Sequence, residues 1–367
     1  MRAMILAAGY GTRLWPLTID RTKPAIPFLG RPLVGYVAEY LGRYGCREVV
    51  VNLHHRPDSV RAALGDGSRF GVQLEYVLEE TILGTSGALD NARALLDGGT
   101  FFVVNGKIVT DIDLTAALET HRQTGALATL VLLRNTARER FSIVETEGGW
   151  VKGFGGMPAP ASDNAGGVRG ERHAESMAEE GAAEKGTAGE SLAAKRTGEG
   201  AEGAGAADAP LMFTGIQILE PRIFDFIPRG VFSHSTTDVY PQAIAQGERI
   251  AAHVAEGMWH ELSTIPRYLE ISLALMKALG REVEAGEGCS ISEGAEVSQS
   301  VLWDNVRVER GARVRRSVLG DGVIIPGGEA IENAAVVRAE LVRGSERPAK
   351  ALPGEFRGDN FVVALPG

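Results

Sequence analysis

The sequence predicts an α/β protein, a mostly parallel sheet covered by helices on both faces, joined to a parallel β-solenoid. Three observations carry that expectation. Apolar runs of strand length alternate with helical patterns from Arg2 to about Val144, and a seventeen-residue repeat begins at Ser300. The chain has 367 residues, too long for one ordinary core, and its 44% hydrophobic content is enough to fill two.

The strand-length runs are RAMILAAG, EVVVNL, VQLEYVL, TFFVVNG and ATLVLL. Between them RPLVGYVAEYLGRYG, PDSVRAAL, TSGALDNARALL and DLTAALETHRQTG place apolar residues at i, i+3 and i+4, the helical spacing. Strands alternating with helices imply a parallel sheet buried on both faces. Ligands of such sheets sit at the carboxyl ends of the strands. The GYGTR turn after the first run and Lys107 after the fourth both fall on that edge.

No aromatic residue occurs between Phe154 and Phe213, and positions 159–210 are mostly Ala, Gly, Glu, Ser and Lys. Such a segment cannot bury enough apolar surface to offset its ordering entropy, so it is expected to be a disordered or weakly helical insertion. Order is expected to resume at LMFTGIQILEP, followed by VYPQAIAQG and the helix PRYLEISLALMKALG.

SVLWDNVRVERGARVRR, residues 300–316, aligns without gaps on SVLGDGVIIPGGEAIEN, residues 317–333, and ISEGAEV just before reads as another coil. Short β-branched steps separated by Gly and turn residues at a fixed period indicate stacked parallel coils. An antiparallel meander is the competing reading, and a register kept over three strand-like steps speaks against it. The expected division is therefore a first domain over 1–280, with its insertion at 159–210, a solenoid over 281–345 and a tail over 346–367. Trp303 reads as solenoid packing or a subunit contact.

A net charge of −9 disfavours nucleic acid and anionic membrane as partners, while leaving room for local basic pockets. The two cysteines, Cys46 and Cys289, lie far apart without metal-ligand spacing, so neither a disulfide framework nor a zinc site is indicated, and a reducing cytoplasm fits. MRAMILAAGYGTRL turns to Gly and Arg before an export signal could form, and no run is long enough to span a membrane. His54, His55 and His260 fit no ligand set; solvated or hydrogen-bonding roles suit them better.

The segment LAAGYGTRLWPLTIDRTKPAIPF, from Leu6 to Phe28, carries the clearest chemistry. Gly9 and Gly11 allow a sharp turn that exposes backbone N–H groups to an anion. Arg13 adds a fork of donors suited to phosphate oxygens, and Lys23 adds a point charge. Taken whole, the segment resembles the signature of the sugar-1-phosphate nucleotidylyltransferases. ETILGTSGAL is similar to that family's nucleotide-base loop, FTGIQILEP to its sugar-site strand and WHELSTIPRYLEIS to the segment that closes its active site. The solenoid is similar to the left-handed β-helix of its mannose-1-phosphate guanylyltransferase and glucose-1-phosphate adenylyltransferase branches.

The resemblance implies a Rossmann-like domain plus a left-handed β-helix, most like mannose-1-phosphate guanylyltransferase. It also implies a reaction: a sugar-1-phosphate oxygen attacks the α-phosphorus of a nucleoside triphosphate in line, and pyrophosphate leaves. Catalysis is then positioning and charge neutralisation by Arg13, Lys23 and Mg²⁺. The implied nucleotide site is Leu6, Ala8, Gly9, Gly11, Thr12, Arg13, Lys23, Glu79, Gly84, Asn105 and Gly106, and the implied sugar site is Glu145, Thr214 and Gly215. A homo-oligomer is the family expectation. An ionised Glu79 can only accept hydrogen bonds, which suits the two adjacent donors of guanine and leaves uracil and thymine open. Its competing reading is a solvated loop carboxylate.

Three positions depart from the family pattern. Its two metal-binding aspartates correspond to Lys107 and Glu261, and the lysine that holds the sugar phosphate falls in FGGMP, where Gly156 and Met157 stand for Glu and Lys. Two aspartates with Mg²⁺ sum to zero charge, as do Lys107 and Glu261. The ammonium is thus expected in the metal's place, paired with Glu261, conserving binding more readily than catalysis, because it cannot act as a bridging Lewis acid. Lys107 as an ordinary surface lysine is the alternative. Asp111 and Asp113 read better as helix-capping residues than as a displaced metal site. Two functions follow: an NDP-sugar synthase that tolerates these changes, or a nucleotide- or NDP-sugar-binding sensor on the same fold.

Overall fold

The computed structural model describes residues 1–156 and 208–366. The expected insertion at 159–210 lies largely outside the described residues, as does Met157.

The first domain is built on a nine-stranded sheet among the described residues. In spatial order its strands are Gln73–Leu78, Glu48–Leu53, Arg2–Leu6, Phe101–Asn105, Leu211–Leu219, Ala128–Arg134, Ile250–Val254, Trp150–Phe154 and Val144–Glu147. The first four pair in parallel. Leu211–Leu219 runs antiparallel between Phe101–Asn105 and Ala128–Arg134, a reversal that the alternating pattern before Val144 does not contain.

Period-two alternation explains why both faces are covered. Ala3, Ile5, Val49, Val51, Phe102 and Val104 point into one apolar cluster with the helices Leu33–Arg43 and Pro57–Leu64. Met4, Val50, Phe101 and Val103 point into the other, with Gly84–Asn91 and Tyr240–Ala245. TSGALDNARALL forms two helices instead of one, Gly84–Asn91 and Arg93–Leu96, broken at Ala92. Asp113 caps the helix Leu114–Thr124 by accepting from the Thr115 amide at 2.8 Å. Asp111 does not cap it: its Oδ1 accepts from the Met258 amide at 2.6 Å, tying the helix approach to the next hairpin.

The repeat folds as stacked parallel coils. Val283, Ser300 and Ser317 start successive coils, and Val301 pairs with Val318 and Val318 with Ala335, each seventeen residues on. Three short sheets make three sides. Residues of positive φ make the corners: Gly288, Asn305 and Gly322; Gly294, Gly311 and Gly328; Gln299, Arg316 and Asn333. Three sides and three corners per turn fit a left-handed β-helix, with Val306, Val308, Val314, Val323 and Ile325 filling its interior. The segment expected as a tail is integral to this domain. Asn360–Ala364 pairs antiparallel with Ala334–Arg338, because an apolar NFVVA strand satisfies the backbone groups that the last coil would leave open.

Trp303 packs on the solenoid, and beyond it on the first domain. It is 3% exposed in a third apolar cluster that joins the domains, where Val301, Val318 and Phe361 meet Trp15, Phe28, Leu262 and Tyr268.

Candidate active site

The site forms where the parallel strands end. The Leu6 carbonyl accepts from the Gly106 amide at 2.9 Å, which locks the ends of the first and fourth strands together. Gly11 then turns with φ +68, and a β-carbon there would lie 2.9 Å from Lys23 Cβ, so only glycine lets the turn and Lys23 approach this closely. Lys23 is 6% exposed, whereas Arg13 stands exposed above the turn. Ala8 is buried beneath it, and Gly9 and Thr12 are half-buried.

Past Asn105 the chain turns through Gly106 and Lys107 into the short strand Ile108–Thr110, which pairs antiparallel with Trp259–Glu261. Glu261 is opposite Ile108, and the Leu262 amide donates to the Lys107 carbonyl at 3.1 Å. This register brings Lys107 Nζ to 3.2 Å from Glu261 Oε1. Lys107 is 27% exposed and Glu261 13%, so the pair sits in the cleft wall and Lys107 is not an ordinary surface lysine. Burial opposes ionisation of Glu261, but Lys107, Lys23 and Arg13 outweigh it and hold the carboxyl below its usual range. Lys107 is thus in contact with the carboxylate, and Lys23 and Arg13 act on it through their charge.

The donor set does not suit Mg²⁺, which needs hard oxygen ligands. The remaining carboxylate of this corner already holds an ammonium, Asp111 is bonded to Met258, and no group of three His, Cys, Asp or Glu residues with metal-holding placement occurs among the described residues.

Glu79 fits neither of its readings. It is 2% exposed, its Oε1 accepts from Asn52 Nδ2 at 2.6 Å and its Oε2 from the Leu83 amide at 3.0 Å. Burial pushes its carboxyl up, against those two donors. It braces the loop before Gly84 from within, with both oxygens engaged, so the inference from Glu79 to guanine lapses. Asn52 completes the brace, its Oδ1 accepting from the Ala7 amide at 2.7 Å. The sequence signal for Asn52 is a lone amide in the apolar run EVVVNL, which spacing rules pass over.

Gly84 has φ +75, and a β-carbon there would lie 2.5 Å from the Ser233 carbonyl, which also accepts from the Ser86 amide. The loop is thereby packed on Ser233 and His234, neither of which carries a motif. His54 lies 2.9 Å from the Glu79 carbonyl and 3.1 Å from the Tyr10 hydroxyl, a hydrogen-bonding role.

At the sugar-site strand, Thr214 is buried and donates its hydroxyl to the Val131 carbonyl at 2.7 Å, so that hydroxyl is turned inward and does not face a ligand. Gly215, with φ +78, is required because a β-carbon would fall 2.2 Å from Asn105 Nδ2. Asn105 and Gly215 therefore meet directly. Glu145 is exposed on the edge strand, its carboxylate beside Gly153 and Gly155, where the missing side chains leave room.

A glycine turn after the first strand, two cations and a cleft at the strand ends define a phosphate-binding α/β domain. The comparisons with known proteins give that class a family. A family model described as nucleotidyl transferase matches residues 2–278, and one described as GlmU-like, C-terminal hexapeptide matches residues 281–343. The chain belongs to the sugar-1-phosphate nucleotidyltransferase family.

Among its relatives is a UTP–glucose-1-phosphate uridylyltransferase of Synechocystis sp., 28% identical over 84% of this chain and 72% of that protein. Another is a mannose-1-phosphate guanylyltransferase of Mycobacterium tuberculosis, 26% identical over 84% of this chain and 81% of that protein. The fold is also that of HddC from Yersinia pseudotuberculosis, solved with GMP-PN, at a TM-score of 0.55 and 17% identity over 75% of this chain and 99% of that one. No helix among the described residues is long and apolar enough to cross a membrane.

Proposed function

We propose that this protein holds a nucleoside triphosphate or an NDP-sugar in the family's cleft, with Lys107 in the position of the metal, and that it serves as a binding or sensing member of the family. The observation that carries this reading is the Lys107–Glu261 pair at 3.2 Å, flanked by Lys23 and Arg13. The family's reaction generally uses Mg²⁺, and this corner offers a cation where that chemistry calls for oxygen ligands. Arg13 and Lys23 supply the charge that neutralises phosphate oxygens. An ammonium gives the phosphates a counter-charge without polarising a bridging oxygen, so binding survives and in-line transfer loses its largest electrostatic contribution.

A second reading is favoured by the relatives that match 84% of the chain, one of them a mannose-1-phosphate guanylyltransferase. In it the protein makes an NDP-sugar of the GDP-mannose type from a nucleoside triphosphate and a sugar-1-phosphate without relying on the metal at this corner. The two separate in a coupled pyrophosphate-release assay with GTP, UTP, ATP, CTP and dTTP against mannose- and glucose-1-phosphate, with and without EDTA, alongside calorimetry with GTP and GDP-mannose. Binding without pyrophosphate release supports the sensor. Release that survives EDTA supports the synthase with Lys107 as its cation, and release abolished by EDTA overturns the ammonium-for-metal assignment in both readings.

A further inference from the structure

Positions 286, 303 and 320 occupy the same place in successive coils, and the residues there are Gly, Trp and Gly. A tryptophan between Gly286 and Gly320, with Val337 next in the column, is not what stacking of the coils requires. Its surroundings show what it does. Trp303 Nε1 donates to the Tyr268 hydroxyl at 3.1 Å, and that hydroxyl donates to the Pro27 carbonyl at 2.6 Å. The guanidinium of Arg21 lies over the indole, 5.1 Å from the ring centre.

Arg21 also pairs with Asp20 at 2.9 Å and, more closely, with Asp321. Asp304 and Asp321 are another repeated position. Each braces the preceding coil, Asp304 Oδ1 accepting from the Glu287 amide at 2.8 Å and Asp321 Oδ1 from the Asp304 amide at 3.1 Å. Asp321 uses its second oxygen to reach out of the solenoid to Arg21.

The solenoid therefore grips the first domain at Arg21 directly and at Pro27 through Tyr268. Lys23 lies between those points, in a turn closed by the Ala25 amide on the Thr22 carbonyl and the Ile26 amide on the Lys23 carbonyl. A cavity of about 690 Å³ opens beside the grip, lined by Asp20, Arg21, Ser59, Glu284 and Trp303, while Leu17, Ile26 and Phe28 on either side of Lys23 pack into the apolar cluster that joins the domains.

We propose that the solenoid positions Lys23 for its phosphate ligand, with Arg21 as the positioning residue and Trp303 and Asp321 as its seat. A lysine ammonium rides on a flexible stem, so its placement depends on where its backbone is held. The inference rests on Lys23 being a phosphate ligand, as in the proposed function, and adds that the second domain sets the affinity of that site.

Full-length variants test it. Asp321→Asn keeps the acceptor that braces the coil and turns the group facing Arg21 into a donor. Trp303→Gly installs the residue that both flanking coils carry, so the repeat itself is preserved. In both, amide hydrogen exchange over residues 19–27 should speed up by about tenfold or more while residues 306–314 keep their protection.

GTP and inorganic tripolyphosphate should each bind about tenfold more weakly by calorimetry. Trp303→Phe, which keeps an aromatic face for Arg21, should recover most of that affinity. Unchanged exchange over 19–27 overturns the grip, and faster exchange with unchanged affinity for both probes overturns the positioning role. A wild-type chain that binds neither probe overturns the phosphate reading of Lys23 and the positioning role with it. The exchange measurement tells that failure apart from failure of the grip.

Discussion

The phosphate turn and the metal corner are neighbours in one cleft, yet they hold to the family pattern to different degrees. At the turn, Gly11 and Lys23 are fitted so closely that a β-carbon would fall 2.9 Å from the lysine stem, and Arg13 stands beside them. At the corner, the backbone frame is present, with Ile108–Thr110 paired on Trp259–Glu261, but its two side chains form an ion pair. The turn thus keeps a glycine and two cations together, while the corner joins a cation to a carboxylate.

Lys23→Ala should break the turn's half of this contrast with the largest effect. We expect GTP affinity to fall by about a hundredfold, as when one partner of a buried charged contact is truncated. Calorimetry checks it, and a change of less than threefold would show that the phosphates lie elsewhere. At the corner, Lys107→Asp combined with Glu261→Asp should create Mg²⁺ binding, because two carboxylates would then face each other across an unchanged backbone register. An unchanged Mg²⁺ titration would mean that the corner has not kept the geometry of a metal site.

Lys107→Met should be milder, lowering stability by roughly 1–3 kcal/mol, since the pair is partly solvated and Glu261 keeps Lys23 and Arg13 nearby. It should also alter the acid limb. With its carboxyl held below the ordinary value, Glu261 contributes stability that is fully present above the unfolded-state value and is lost as pH falls through the lower folded one. Removing Lys107 leaves burial less opposed, so that loss should begin at higher pH. Thermal melts from pH 3 to 7 report it, and superimposable profiles for the two proteins would remove Lys107 as the cause.

The smallest effect is expected at the loop before Gly84. Glu79→Gln preserves the Asn52 bond but sets an amide donor against the Leu83 amide, for a loss of about 1 kcal/mol. The Glu79 carboxyl is raised by burial, so the wild type gives up stability as pH climbs through its folded value, and Gln should flatten that part of the melt profile. A persisting slope would assign the titration to another group.

The fold was legible where a local pattern repeats. Ala3/Met4/Ile5 and Phe101 through Val104 alternate between two cores, and the seventeen-residue spacing of Val301, Val318 and Ala335 is their observed register. The antiparallel strand Leu211–Leu219 was not legible as such, because a short apolar run reads alike in either direction. In the site, the motif glycines and cations could be named in advance. The inward roles of Glu79 and Thr214 could not, since spacing identifies a residue's place along the chain and not which way its oxygen atoms point.

By itself the sequence determined the family signature, the repeat and the presence of Lys107 and Glu261 in the motifs NGK and WHE, because each is a matter of residue identity at a fixed spacing. Only the tertiary structure decided that Lys107 reaches Glu261, that Asn105 meets Gly215 and that Trp303 seats Arg21 beside Lys23. Those pairs are separated by 154, 110 and 282 residues along the chain. Contacts at that range are set by how the sheet, the closing hairpin and the solenoid pack together, which no local spacing encodes.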